Sequence, residues 1–385
     1  MTQPLDGVRV LDLTRLLPGG VCTLMLADLG ADVVKIEDPN GGDYSRWMPP
    51  LIDGLGVYFR VNNRNKRSVI VNLKHERGQA ALKKLVETAD VMIEGNRPGV
   101  MARLGCDYET LRAVNSRLVY CSLSGWGADG PYVDRSGHDL NYVSIGGLTG
   151  AMVTPQPMGG QIADIGAAYV GVAGILAALL KRERSGEGSF VDTALSESAL
   201  PFVIAPWTEA VGSGRHAPGR LTGGWACYNV YRAQDGKLVS LAALEPKFWS
   251  NFCHAVGRAD LSDSDYQDPA RQADLKQELV DLFATRTADD WDALLTPADC
   301  CFALVNTPGT MADDPHIQAR GMLGIGTDGA PWMRSPVRLS DELFEIGGVP
   351  GYGEHTREVL REAGYPDDQI DDLVAAGAIQ EQDAD

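Results

Sequence analysis

Cysteine is sparse in this chain. Its seven residues, two of them the adjacent Cys300 and Cys301, form no CxxC pair and no spacing with histidine that resembles a zinc site. We read them as reduced packing residues and expect no metal centre. Positive charge is short as well: 34 lysines and arginines stand against 52 acids, a formal charge of -18. That field repels nucleic acid and anionic membrane surfaces, so no partner of either kind is expected and a polyanionic ligand must be met by a local basic cluster. The opening Met1-Thr2-Gln3-Pro4-Leu5-Asp6 lacks the basic and apolar run of an export signal, and the expected location is cytoplasmic.

Long apolar runs are nearly missing. One candidate, Ala163 to Leu180, only just reaches the length of a membrane span and carries Asp164 near its start. It reads as a buried helix packed closely through small residues. No nucleotide-binding signature is present either: Pro18-Gly19-Gly20 is not G-x-G-x-x-G and no Walker lysine follows, so the expectation there is a tight turn that lets a ligand approach.

What the chain does have is a rhythm of short β-branched runs and helical patterns. Strands are predicted at Val8–Leu13, Asp32–Ile36, Ser68–Leu73, Asp90–Glu94 and Leu118–Ser122, with helices at Glu76–Thr88 and Tyr108–Asn115. This is the βαβ pattern of an open α/β domain with a parallel sheet. Ser189–Thr193 reads as a further strand and Ala194–Ala210 as a helix. A turn-rich stretch, Gly212 to Gly219, then marks a boundary. Beyond it, Tyr228–Ala233 and Leu238–Ala242 flank Asp235-Gly236, a hairpin signal, and helical patterns follow in a smaller α+β lobe. The domain expectation is a large α/β domain over 1–210, a linker over 211–222, a small domain over 223–320 and a return to the large domain over 321–385. At 385 residues and 44% hydrophobic, the chain can support two lobes.

Two features carry chemistry. Ser136-Gly137-His138-Asp139-Leu140-Asn141-Tyr142 places a histidine in a glycine-flanked loop, and Gly159-Gly160-Gln161-Ile162-Ala163-Asp164 places a carboxylate near a helix start. Two different Brønsted bases of this kind suit removal of a proton from one face of a carbon and its return to the other. Each residue also has a plainer reading: His138 as a surface hydrogen-bonding residue, Asp164 as a helix N-cap, and Glu245-Pro246 as a helix start. Arg64, Lys66, Arg67, Lys74, Arg97 and Arg103 fall at or just beyond predicted strand ends, where open α/β sheets place ligands. Their plainer reading is a solvated basic loop.

Several segments, in order and spanning nearly the whole chain, resemble the family III CoA-transferase superfamily of CaiB/BaiF type, which includes the α-methylacyl-CoA racemases. They are Leu5–Leu13, Leu29–Glu37, Asn63–Ser68, Glu94–Gly99, Leu123–Gly127, Leu244–Trp249 and Gly353–Thr356. The Gly137-His138-Asp139-Leu140-Asn141-Tyr142 run is similar to the racemase branch. The resemblance implies an open Rossmann-like large domain, a small α+β domain and an interlocked homodimer. It also implies an acyl-CoA thioester substrate and no separate cofactor.

On this resemblance the expected activity is racemisation of 2-methylacyl-CoA thioesters through an enolate, with His138 and Asp164 as opposite-face bases. Glu245 would orient His138, and the Asp139 amide would face the thioester oxygen. The alternative is a CoA-transferase in which Asp164 is the nucleophile. CoA contacts are implied at Val71, Asn72, Leu73, Lys74, Gly95, Asn96, Arg97, Arg103, Gly137, Asp139, Leu140, Asn141 and Tyr142. A racemase of this kind carries an arginine toward CoA at the position where this chain has Asp38, which leaves Lys35, Arg64 or Lys66 to take that role.

Overall fold

The computed structural model describes residues 3–214, 218–262, 264–339 and 345–382. Six parallel strands form the main sheet: β1 (Arg9–Leu13), β2 (Asp32–Glu37), β3 (Lys66–Val71), β4 (Val91–Glu94), β5 (Val119–Ser124) and β6 (Ser189–Ala194). Their spatial order is 3-2-1-4-5-6, and the short strand Ile379–Gln380 pairs antiparallel with β3 at the edge. This is the doubly wound order, which reverses direction between β1 and β4 and opens a crevice beyond their C-terminal ends. Leu13 pairs with Glu94 there, so Thr14-Arg15 and Gly95-Asn96 emerge side by side at the switch point.

The strands form because both faces are covered. Every residue of β4 and β5 is buried, as expected of a parallel sheet packed on both sides. One core holds Leu82, Leu85 and Val86 of the helix Glu76–Val86 with Val359, Leu360 and Ile370 from the C-terminal helices. The opposite core holds Cys22, Met25 and Leu26 of α1 (Leu16–Asp28) with Ala168, Val172, Ile175 and Ala178 of the long helix. Each fully buried aliphatic side chain of this kind contributes about 1.5–3 kcal/mol relative to exposure. The long helix, Ile162–Ser185, has the length and composition to cross a membrane, yet its glycine and alanine stripe is buried against the sheet.

Compact units divide differently from the expected boundaries. One comprises the chain to Tyr142, Gly160–Ala199 and everything from Pro315; the other comprises Val143–Gly159 and Leu200–Asp314. The short segment Val143–Gly159 joins the second unit because Leu148, Ala151 and Val153 line an apolar cavity with Phe202, Val203 and Leu221. Within that unit an antiparallel sheet of Tyr228–Arg232, Leu238–Ala242 and Phe302–Leu304 packs over an aromatic core of Trp249, Phe252, Phe283 and Trp291. The hairpin turns at Gly236, with φ +82°, as Asp-Gly requires. The expected helix over Ala194–Ala210 breaks into Leu195–Ser198, a tight turn at Leu200–Val203 and Ile204–Ser213, since Pro201 cannot donate within a continuous helix. Residues 215–217 of the expected linker, and 340–344 and 383–385 of the expected return segment, lie outside the described residues.

Pro18-Gly19-Gly20 is not a free-standing turn. It forms the first turn of α1, where proline is tolerated because its missing N–H has no intrahelical partner. Gly19 is required by the approach of Thr14, whose side chain a Cβ would meet at 2.1 Å.

Candidate active site

The Gly137–Tyr142 run folds as a helix entry, and most of its residues are committed to building it. Asp139–Ile145 is a short helix; the amides of Asn141 and Tyr142 donate to the His138 carbonyl, and Asn141 Oδ1 accepts from the His138 amide at 3.0 Å. This is the reciprocal bond of a helix cap. Tyr142 turns its hydroxyl back to donate to the Gly137 carbonyl at 2.8 Å. Its hydroxyl fills the space where a Cβ on Gly125 would sit, at 2.4 Å, its ring that of one on Gly137, at 2.8 Å, and the ring meets Trp126 edge-on. What the cap does not use is the exposed His138 imidazole and the Asp139 amide, the first of its helix and so without an intrahelical acceptor.

Asp139 ties this turn to the long helix. Its Oδ1 accepts from the amides of Ala163 at 2.7 Å and Asp164 at 3.1 Å, the first-turn donors that need a partner. Gln161, the N-cap, supplies none. The capping role expected as the plainer reading of Asp164 therefore belongs to Asp139, and the Asp164 carboxylate opens into a cavity of about 440 Å³. Burial, and then the neighbouring Asp139 charge, push its pKa up to about 6, with His138 opposing. His138, Gly137, Tyr142, Gly95, Gly125, Tyr58 and Arg15 share the wall. Burial and the charge of Asp164 together raise the Tyr58 hydroxyl, so it stays a neutral donor.

A second cavity of about 500 Å³ lies at the switch point, lined by Val71, Leu73, Lys74, Gly95, Asn96 and Arg97 among others. Arg15, Tyr44 and Gly95 belong to both walls. Lys74 and Arg97 are exposed there. Asn72, beside them, instead donates to the Gly377 carbonyl and accepts from the Lys74 amide. Arg103 is exposed, and Leu140 and Asn141 face solvent; none of the three lines either cavity. Asp38 does line the second cavity. Burial would raise its carboxyl, but Asn40 hydrogen bonds and the charges of Lys74 and Arg15 hold it low and ionised.

Three expected CoA cations are elsewhere. Lys35 is buried beside Asp43 at 3.1 Å and donates to the Thr14 carbonyl. Arg64 makes a two-pronged pair with Asp28 at 2.5 and 2.7 Å. Lys66 is enclosed by Asp12, Thr23 and Asn63. Their charges neutralise acids inside the protein: although burial opposes it, Lys35 and Lys66 hold Asp12 at about 2, while burial brings Lys66 down to about 8. Removing these charges from water is tolerable only because each has a close partner. Arg67 is likewise engaged, with Asp32, Glu358 and Glu362. Phosphate recognition therefore cannot rest on Lys35, Arg64 or Lys66.

Glu245 lies in the second unit as the exposed N-cap of Pro246–Ala255, with no hydrogen bond or ion pair holding its carboxylate among the described residues. Sequence reasoning missed Arg15, Tyr44 and Tyr58. Arg15 had a signal, as the second residue after β1 and so at the crevice once the strand order is known. Tyr58 had none.

The model of the CoA-transferase family III matches residues 5–356. The chain is 34% identical to the succinate–glutarate CoA-transferase of Agrobacterium fabrum, over 93% of this chain and 95% of that one. It is 30% identical to the α-methylacyl-CoA racemase of Mus musculus, over 95% of each. A solved structure of a CaiB/BaiF family protein from Brucella suis superposes with a TM-score of 0.83 at 32% identity, covering 94% of this chain and all of that one. With its parallel-dominated α/β sheet, its switch-point cavities and this match across nearly its whole length, the chain belongs to the CoA-transferase family III, which spans transferases and racemases.

Proposed function

We propose that the protein moves CoA between carboxylic acids, with Asp164 as the nucleophile. The observation that carries this reading is a carboxylate left free of the capping role its position invites, its pKa raised to about 6, and opening into a cavity whose wall continues into a second one bearing Lys74 and Arg97. The relatives support it too: several at 28% to 36% identity are named CoA-transferases.

The steps balance without a co-reactant. The Asp164 carboxylate attacks the donor thioester carbonyl and expels the CoA thiolate, leaving a mixed anhydride. The thiolate attacks the aspartyl carbonyl and releases the donor acid as its carboxylate. The acceptor carboxylate attacks the resulting aspartyl thioester, CoA leaves again as thiolate, and its attack on the new acyl carbonyl frees Asp164. Above pH 6 Asp164 is mostly the carboxylate this sequence needs. The Asp139 amide, at the positive end of its helix, is the donor we assign to the developing oxyanion. Two interlocked copies are the assembly we expect.

A second reading, racemisation, is favoured by the His138 imidazole, which shares the Asp164 cavity and takes no part in the cap around it. There His138 and Asp164 exchange the α-proton of a 2-methylacyl-CoA. One experiment separates the two: incubation of acyl-CoA esters in D₂O, with and without a free acid, read by mass spectrometry. Transfer supports the first reading. Deuterium uptake at the α-carbon with no acid present, and no transfer, overturns it in favour of the second.

A further inference from the structure

We infer that Arg15 receives the distal carboxylate of a dicarboxylic acyl group, which makes dicarboxylic acids the preferred acids of this site; the inference rests on the transferase reading above. The acid that enters or leaves is an anion, and a dicarboxylic one brings a second negative charge into a cavity that already holds Asp164. Like charges a few ångströms apart in a partly desolvated cavity repel strongly unless a cation intervenes. Among the described residues lining that cavity, Arg15 is the one side chain charged positive at every working pH.

Its charge is available. The buried arginines and lysines around the switch point are engaged, Lys35 with Asp43, Arg46 with Glu37, Arg64 with Asp28 and Lys66 with Asp12, and the exposed Lys74 and Arg97 line the adjoining cavity but not this one. Arg15 is exposed, caps nothing with its side chain, and forms no ion pair among the described residues. Asp38, the acid it influences from the adjoining cavity, is already held by both the amide and the side chain of Asn40.

Its position is also fixed. Arg15 is extended, with φ -134°, and the next residue, Leu16, is forced into left-handed backbone at φ +59°. The Leu16 amide donates to Asp43 Oδ2 at 3.2 Å, which pins this turn. A branched residue held at positive φ costs energy, and such strain gathers at sites that must present a neighbour accurately. A guanidinium there offers the planar fork that a carboxylate accepts in two bonds.

The test uses the full-length protein and two acceptors of equal chain length, glutarate and valerate, with a monocarboxylic acyl-CoA donor. The ratio of kcat/KM for glutarate to that for valerate should fall about tenfold or more in Arg15→Met, the loss of one charged hydrogen-bonded pair. Arg15→Lys, which keeps the charge and loses the fork, should fall between. An unchanged ratio overturns the assignment, including the case where both acids and the CoA ester weaken together, which marks a role toward CoA. Calorimetric binding of glutarate to the resting enzyme separates the two readings. Wild type that binds glutarate through Arg15 yet moves no CoA leaves Arg15 assigned and sinks transfer. Wild type that moves CoA to both acids alike sinks the Arg15 assignment and leaves transfer standing.

Discussion

A single carboxylate oxygen of Asp139 accepts the amides of Ala163 and Asp164, so the turn that presents His138 and the helix that presents Asp164 are held by one side chain. The same carboxylate places a negative charge beside Asp164, which helps raise its pKa to about 6.

Asp139→Asn should separate these effects. The amide oxygen still accepts at the helix start, but the neighbouring charge is gone, so the acidic limb of the pH-rate profile should move below 6. Asp139→Ala should also lose the cap, about 1 kcal/mol of stability. A limb that stays in place in Asp139→Asn would remove the charge from the account.

Asp164 should make the fold less stable as pH rises. Its folded-state pKa is raised above the ordinary value of 3.8, so the folded chain holds this proton more tightly than the unfolded chain. The associated stability is complete below pH 4 and is lost as pH passes through 6. Asp164→Asn should therefore stabilise the protein at pH 8 relative to wild type by on the order of 1–2 kcal/mol, once partial exposure is allowed for. The gain should vanish at pH 4. Denaturant melts at the two pH values check this.

Gly125→Ala and Gly137→Ala should each displace Tyr142, since the new methyl group would meet its hydroxyl at 2.4 Å in the first and its ring at 2.8 Å in the second. Overpacking of this kind costs about 1–3 kcal/mol. Activity should fall with it, because Tyr142 lines the Asp164 cavity. Tyr142→Phe removes only the bond to the Gly137 carbonyl and should cost about 1 kcal/mol.

Arg64→Met and Lys66→Met should destabilise by about 3–5 kcal/mol, because each leaves a buried acid, Asp28 or Asp12, with its pairing broken. Lys74→Met and Arg97→Met should melt close to wild type and weaken CoA-ester binding with a strong salt dependence. The reverse pattern would return the buried residues to the ligand.

The sheet was readable from sequence because parallel strands buried on both faces leave short apolar runs, as in Val69-Ile70-Val71 and Val91-Met92-Ile93. Asp164 and His138 were readable from their loops and from the family pattern. The basic residues were not, since Arg64, Lys66 and Lys74 look alike in one dimension. Asp28 and Asp12, distant in sequence, enclose the first two, whereas Lys74 is left in the open. Arg15 escaped notice for a related reason. Nothing local marks it, and only the reversal of strand order between β1 and β4 puts it at the crevice. The racemase expectation came from the His138 motif, most of which turns out to be helix-cap geometry.

The most direct test of the central claim is peptide mapping of the enzyme after incubation with an acyl-CoA donor and hydroxylamine, with no acid acceptor present. Covalent transfer predicts that Asp164 is recovered as its hydroxamate, and that the adduct is lost when CoA ester is omitted. An unmodified Asp164 in enzyme that meanwhile exchanges the α-proton of the donor with solvent would contradict the account and establish proton transfer as the reaction of this site.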